Sequence, residues 1–231
     1  MKLLERLFAV AAPDECLNCG REGAWLCADC VKLLPAKQSS CWNCNALTVG
    51  GRTCAKCRRT SALQGVKVAV RYEGLAELLI KSYKYQARRG VAGDLSRLIK
   101  PLALELNPDL IVPVPPATLR LRQRGFDHTW RLASRLGTAT NLPVAAALAC
   151  LDATRQVGHG RRDRLAQATG RFAATRPDLV KGQRVVILDD VITTGATMAA
   201  CAAVLRQAGA REVWGLALPF GAKLRIREAL L

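Results

Sequence analysis

Two regimes of apolar patterning divide this chain. Beyond about residue 60, short apolar runs alternate with stretches of helical spacing. Residues 66–72 read as a strand, and 74–86 as a helix with Leu75, Leu78, Leu79 and Tyr83 on one face. A second helix is expected over 92–106, disturbed by Pro101. Residues 110–114 form a short apolar strand stopped by Pro115-Pro116, and a helix follows over 129–136. Residues 148–151 are a further short strand candidate. Residues 185–188 are continuously apolar, the mark of a strand buried on both faces. A helix over 197–208 with Gly209 as its cap and a last strand over 213–218 complete the pattern. Strands alternating with helices predict an α/β domain with a mostly parallel sheet.

Before residue 60 this patterning is missing. Residues 1–13 read as a short amphipathic helix, with Glu5 and Arg6 interrupting any signal-type apolar core. Large apolar residues are then sparse, and cysteines replace them. Eight of the ten cysteines form four CxxC pairs: Cys16/Cys19, Cys27/Cys30, Cys41/Cys44 and Cys54/Cys57. Two sulfurs separated by two residues bind one ion from a single tight turn, and a second pair completes a tetrahedron. Eight thiolates therefore suit two zinc ions, paired either sequentially or crosswise. Metal binding would supply the folding energy that so small a core lacks, about 10 kcal/mol or more per site. A redox reading expects one CxxC between a strand and a helix, and these pairs sit among polar residues instead. Cys150 and Cys201 read as small core residues. The expected organisation is a metal-held module over residues 1–60 and an α/β domain over 61–231.

Charge changes the picture next. The formal net charge is +17, which points to an anionic partner. Two dications and eight thiolates together would bring it to about +13. Residues 118–176 hold eleven arginines against three acids. This stretch suits a pyrophosphate site, a nucleic-acid track or a solvated basic surface. The few aromatics beside it, Phe126, Trp130 and Phe172, give base stacking little support. His128 and His159 fall in polar loops with no partner visible in the sequence. The longest nearly apolar run, 142–151, falls well short of the roughly 20 residues of a membrane helix. We expect a cytoplasmic protein, peripheral to the inner membrane at most.

The most specific stretch is RVVILDDVITTGATM, residues 184–198. A buried strand ends in Asp189-Asp190. Thr193, Thr194, Gly195, Ala196 and Thr197 then turn into a helix. Free N–H groups at a helix start hold phosphate, Gly195 permits close backbone approach, and the threonine hydroxyls add donors. The two carboxylates can accept hydrogen bonds from sugar hydroxyls or help hold magnesium. This segment resembles the phosphoribosyl-pyrophosphate (PRPP) signature of type I phosphoribosyltransferases. The resemblance implies ribose or magnesium contacts at Asp189 and Asp190, a 5′-phosphate cradle at Thr193–Thr197, and a pyrophosphate loop near Pro115 and Pro116.

The whole chain is similar to the ComF family, which joins a multi-CxxC zinc module to a phosphoribosyltransferase-like domain. KSYKYQARRG (81–90) resembles the family's LKYKG-type element and places Lys84 at its lysine. RQRGFDH (122–128) resembles RGFNQ and matches Arg124, Gly125 and Phe126. Residues 156–172 resemble its glutamine- and arginine-rich segment. Asp127-His128 replace the usual Asn-Gln, His159 a leucine and Gln167 an asparagine. The resemblance implies Lys84, Asp189 and Asp190 as catalytic groups and Arg124 as a ligand contact. It also implies PRPP with magnesium, and a role in DNA uptake, handling single-stranded DNA together with the uptake machinery. Three functions compete: a magnesium-dependent phosphoribosyltransferase, a PRPP-sensing nucleic-acid-binding protein, and a salvage enzyme, which leaves the cysteines unexplained. A chain that begins Met1-Lys2 is not expected to carry the N-terminal nucleophilic cysteine of a glutamine-dependent enzyme.

Overall fold

The computed structural model describes residues 14–85, 90–117, 121, 125–151 and 170–220. The amphipathic helix expected over 1–13, Arg124, His159 and Gln167 lie outside them.

Among the described residues, four parallel strands form the main sheet. They are β1 (Gly65–Arg71), β2 (Leu110–Pro113), β5 (Arg184–Asp189) and β6 (Glu212–Phe220), in the order β1-β6-β5-β2. Val185, Val186, Ile187 and Leu188 are all inaccessible to solvent. An all-apolar run is what a strand covered on both faces requires. Val186 and Leu188 enter one core, with Trp214, Leu216 and Leu218 of β6. Val185 and Ile187 enter the other, with Val213 and Ala217. The period-2 geometry of a strand thus splits the interior into two layers.

Three helices cover the first face: α3 (Leu75–Tyr85), α4 (Val91–Leu106) and α5 (His128–Thr140). The buried face of α3 is Ala76, Leu79, Ile80 and Tyr83, at i, i+3, i+4 and i+7. Leu78, expected on that face, sits on its flank and is exposed. Pro101 does not interrupt α4. It lies on the exposed side, where water can serve the Arg97 carbonyl that its missing N–H leaves free. The second face carries α7 (Ala196–Gln207). Gly209 follows it at φ 94°, donating to the Arg206 carbonyl while Ala210 donates to that of Leu205. These two bonds make a Schellman ending. Before β5 comes the one-turn helix α6 (Pro177–Val180).

The strand expected near residue 148 is β3 (Leu148–Cys150). It pairs antiparallel with β4 (Phe172–Ala174), outside the main sheet. Cys201 is fully buried as expected, whereas Cys150 is only half-buried.

The cysteine segment folds as two copies of one unit. Each starts with a tight CxxC turn and ends in a one-turn helix, α1 (Ala28–Val31) or α2 (Ala55–Arg58). The turns close with left-handed residues, Gly20 (φ 72°) and Asn45 (φ 62°), whose N–H groups donate to Cys16 and Cys41. The first copy packs into the helix-covered core through Cys16, Leu26, Cys27 and Cys30. There the Leu26 N–H donates to the buried Asp94 carboxylate at 2.9 Å. The second copy reaches the other face through Trp42. Among the described residues no helix is long and apolar enough to cross a membrane.

Candidate functional site

The carboxyl ends of β5 and β2 lie side by side, and open α/β sheets bind their ligands outside such strand ends. A cavity of about 400 Å³ opens there. Lys84, Pro115, Pro116, Asp189, Asp190, Thr193 and Thr197 all line it. A smaller adjoining hollow of about 30 Å³ is walled by Asp189 and by Thr193, Thr194, Gly195, Ala196 and Thr197. Every residue singled out in the sequence around this motif therefore converges, apart from Arg124, which lies outside the described residues.

Gly195 is left-handed at φ 72° and starts α7. This places Thr193, Thr194, Ala196 and Thr197 at the surface of the turn. Thr194 Oγ1 accepts from the Ala196 N–H at 3.4 Å. The first N–H groups of a helix have no intrahelical partner, and α7 starts where the hollow opens, the arrangement that suits a phosphate.

The two carboxylates differ. Asp190 is 3% exposed. Lys84 Nζ lies 2.7 Å and His128 Nε2 2.9 Å from its Oδ2. Burial alone would raise its pKa, but His128 and Lys84 overcome that and hold the carboxyl well below the usual carboxylate range. Asp189 faces the opposite balance. Burial first, then the neighbouring Asp190 charge, push its carboxyl up to about 8. The Asp190 N–H donates to Asp189 Oδ1 at 2.8 Å, which opposes this rise without cancelling it. Asp190 is thus an anchored anion, and Asp189 is the carboxyl whose charge is the more easily changed.

His128 is the cavity residue whose place the sequence does not reveal. It was expected in a polar loop, but it is the first residue of α5 and 7% exposed. Asp127 caps this helix by accepting from the Trp130 N–H at 2.9 Å. Thr129 donates to the Val114 carbonyl at 2.8 Å, and buried Tyr83 donates to the His128 carbonyl at 2.6 Å. Those bonds tie α3, α5 and the end of β2 around Asp190. The Asp-His pair was visible as a departure from the family pattern. Its partner was not, because Asp190 is 62 residues away. Cys150, Arg171 and Phe172 also line the cavity unannounced.

The cysteines resolve into two sets, Cys16/Cys19/Cys27/Cys30 and Cys41/Cys44/Cys54/Cys57. Pairing is therefore sequential. Within each set the sulfurs lie within 4.8 Å of one another. Cys19–Cys27 and Cys44–Cys54 are 3.7 and 3.6 Å apart. A tetrahedral zinc with sulfur at about 2.3 Å requires sulfurs about 3.8 Å apart, so each set fits one metal ion. The electrostatics agree. Burial opposes ionisation of Cys16 and Cys41, yet backbone N–H groups bring both down to about 6. At Cys30 and Cys57 an asparagine side chain favours the thiolate. Burial and the neighbouring cysteines outweigh it, pushing both up to about 12. Four crowded thiolates need a cation among them.

A phosphoribosyl transferase domain matches residues 124–222. Among curated proteins, the DNA utilization protein YhgH of Escherichia coli O157:H7 is 28% identical over 207 residues, covering 84% of this chain and 91% of its own. Competence protein F of Haemophilus influenzae is 27% identical, with 83% and 90% covered. Of solved structures, the glutamine PRPP amidotransferase of B. subtilis aligns at 24% identity and a TM-score of 0.44. That alignment covers 60% of this chain, which spans only 30% of the amidotransferase. A purine phosphoribosyltransferase of Pyrococcus horikoshii aligns at 17% identity and a TM-score of 0.34, with 62% and 73% covered. The fold and the site define a phosphoribosyltransferase-type α/β protein with an N-terminal cysteine module. Over most of its length the chain is similar to competence protein F and to the DNA utilization proteins, as its cysteine module and ligand motif suggest.

Proposed function

We propose that this protein acts in DNA uptake, binding PRPP with magnesium in the 400 Å³ cavity and handling single-stranded DNA. The observation that carries the ligand is the end of β5. An anchored and a responsive carboxylate stand directly before a threonine turn that opens a helix at a left-handed glycine. In this reading Asp189 meets the ribose hydroxyls or magnesium, and Thr193 to Thr197 cradle the 5′-phosphate. Pro115 and Pro116, with Arg124, take the pyrophosphate end. Lys84 holds Asp190 and adds positive charge beside the leaving group. Each cysteine set holds one zinc, and the chain divides near residue 60 into module and ligand domain. The relatives' names, DNA utilization protein and competence protein F, support the uptake role. The charge of +17 supports an anionic polymer as partner. In this reading the protein works in the cytoplasm, peripheral to the inner membrane at most.

Thermal stabilisation by PRPP with magnesium, absent with either alone, tests the ligand. Pyrophosphate release with candidate acceptors then separates a transferase from a ligand-sensing binding protein. The binding-protein reading keeps a specific support. Asp190, one of the two motif acids, is already committed to Lys84 and His128.

A further inference from the structure

Trp42 sits inside the CxxC turn of the second cysteine set, between Cys41 and Cys44. Its indole N–H donates to Thr53 Oγ1 at 3.1 Å. Thr53 is buried, donates onward to the Leu63 carbonyl at 2.8 Å, and directly precedes Cys54. Both halves of the metal set therefore orient this one ring. The ring lies against Gly195. A Cβ at that glycine would come within 2.5 Å of Trp42 Cε3 and 2.8 Å of Cζ3. The first set holds Leu17 in the equivalent position, and Leu17 packs on the opposite core. The two cysteine sets are thus alike in fold but differ in what they support.

We infer that Trp42 is a positioning residue through which metal in the second set holds the phosphate turn in its binding shape. Gly195 gives the turn its left-handed bend, and glycine has many other conformations open to it. A rigid aromatic face against it removes that freedom before the ligand arrives, which lowers the ordering cost of binding. Binding energies are reciprocal. If metal in the Cys41/Cys44/Cys54/Cys57 set favours the ligand-ready turn, ligand must strengthen metal retention in that set. The first set should show no such response.

This inference rests on the PRPP reading above. The experiment uses the full-length zinc-loaded chain. Zinc release to a coloured chelator is followed with and without magnesium-PRPP, alongside calorimetry of PRPP binding. The expected result is that PRPP makes one of the two zinc ions at least about fivefold harder to remove, within the usual span of coupling. Trp42→Ala should keep two zinc ions, lose this protection and bind PRPP at least about fivefold more weakly. Trp42→Phe should restore part of both effects, and Leu17→Ala should change neither. The parent measurement needs no variant, so a poorly folding Trp42→Ala does not remove the test. PRPP binding by the parent with no zinc protected, or protection that survives Trp42→Ala, overturns the inference and leaves the PRPP reading standing. No PRPP binding by the parent overturns both.

Discussion

Asp190 is a buried anion with two basic neighbours, and its surroundings decide what the site tolerates. Removing one partner of a buried ion pair costs about 3–5 kcal/mol, because the remaining charge is stranded. Asp190 keeps His128 when Lys84 is lost, so Lys84→Met should cost about 2–3 kcal/mol in urea unfolding. Lys84→Met combined with Asp190→Asn should recover part of that loss. A double variant no more stable than Lys84→Met would mean that the pair is not coupled. Asp189 makes a prediction in pH. Its folded value of about 8 lies above the ordinary 3.8, so the folded chain keeps a proton that the unfolded chain gives up. Its contribution to stability therefore falls as pH rises from about 4 to about 8. A cation or ribose ligand that uses the ionised form must expel this proton. At pH 7, magnesium-PRPP binding should release about one proton per chain, read by calorimetry in two buffers of different ionisation enthalpy. Binding without proton release would remove Asp189 from the ligand contacts.

At the scale of elements, two glycines flank α7 and predict different outcomes. Gly195→Ala forces a left-handed alanine, at about 1–2 kcal/mol, and drives its methyl into Trp42. Gly209→Ala meets the same backbone cost, but its nearest neighbour is the flexible Lys181 side chain at 3.3 Å. Gly195→Ala should therefore be the more destabilising in urea, and only it should weaken PRPP binding. The elements also show what was legible. The run 185–188 announced β5 because a strand covered twice has no polar position to blur it. The acidic pair and threonine turn were readable because the motif is contiguous. The ribbon β3–β4 was half-readable: β4 has three residues, and its meaning lies in a partner more than 20 positions away. The burial of His128 was invisible for the same reason, since its contact with Asp190 is tertiary, whereas the Asp127 cap that starts its helix is local. Sequential cysteine pairing needed sulfur distances, because spacing alone permits both arrangements.

Across the whole molecule, one sheet is clasped by two copies of a cysteine unit, one on each core. Metal loss should therefore reach the α/β layers and not only the module. Stripping both zinc ions should lower the unfolding temperature of the entire chain in a single transition. It should also expose the Leu26 amide to hydrogen exchange, since its partner Asp94 lies on α4. A surviving α/β transition at the parent's temperature would show the module to be an independent appendage. The same scale governs nucleic acid. With a formal charge of +17, binding to single-stranded DNA should weaken steeply with salt, each phosphate neutralised adding about −0.7 to the log–log slope. A flat salt response would assign the charge to small phosphorylated ligands alone.

The most direct measurement for the central claim is calorimetric titration of the zinc-loaded chain with magnesium-PRPP, for the parent and for Asp189→Ala. One site per chain in the parent, weakened at least about tenfold in the variant, a difference of about 1.4 kcal/mol, is the predicted result. No heat of binding in the parent, or equal affinity in Asp189→Ala, would contradict it.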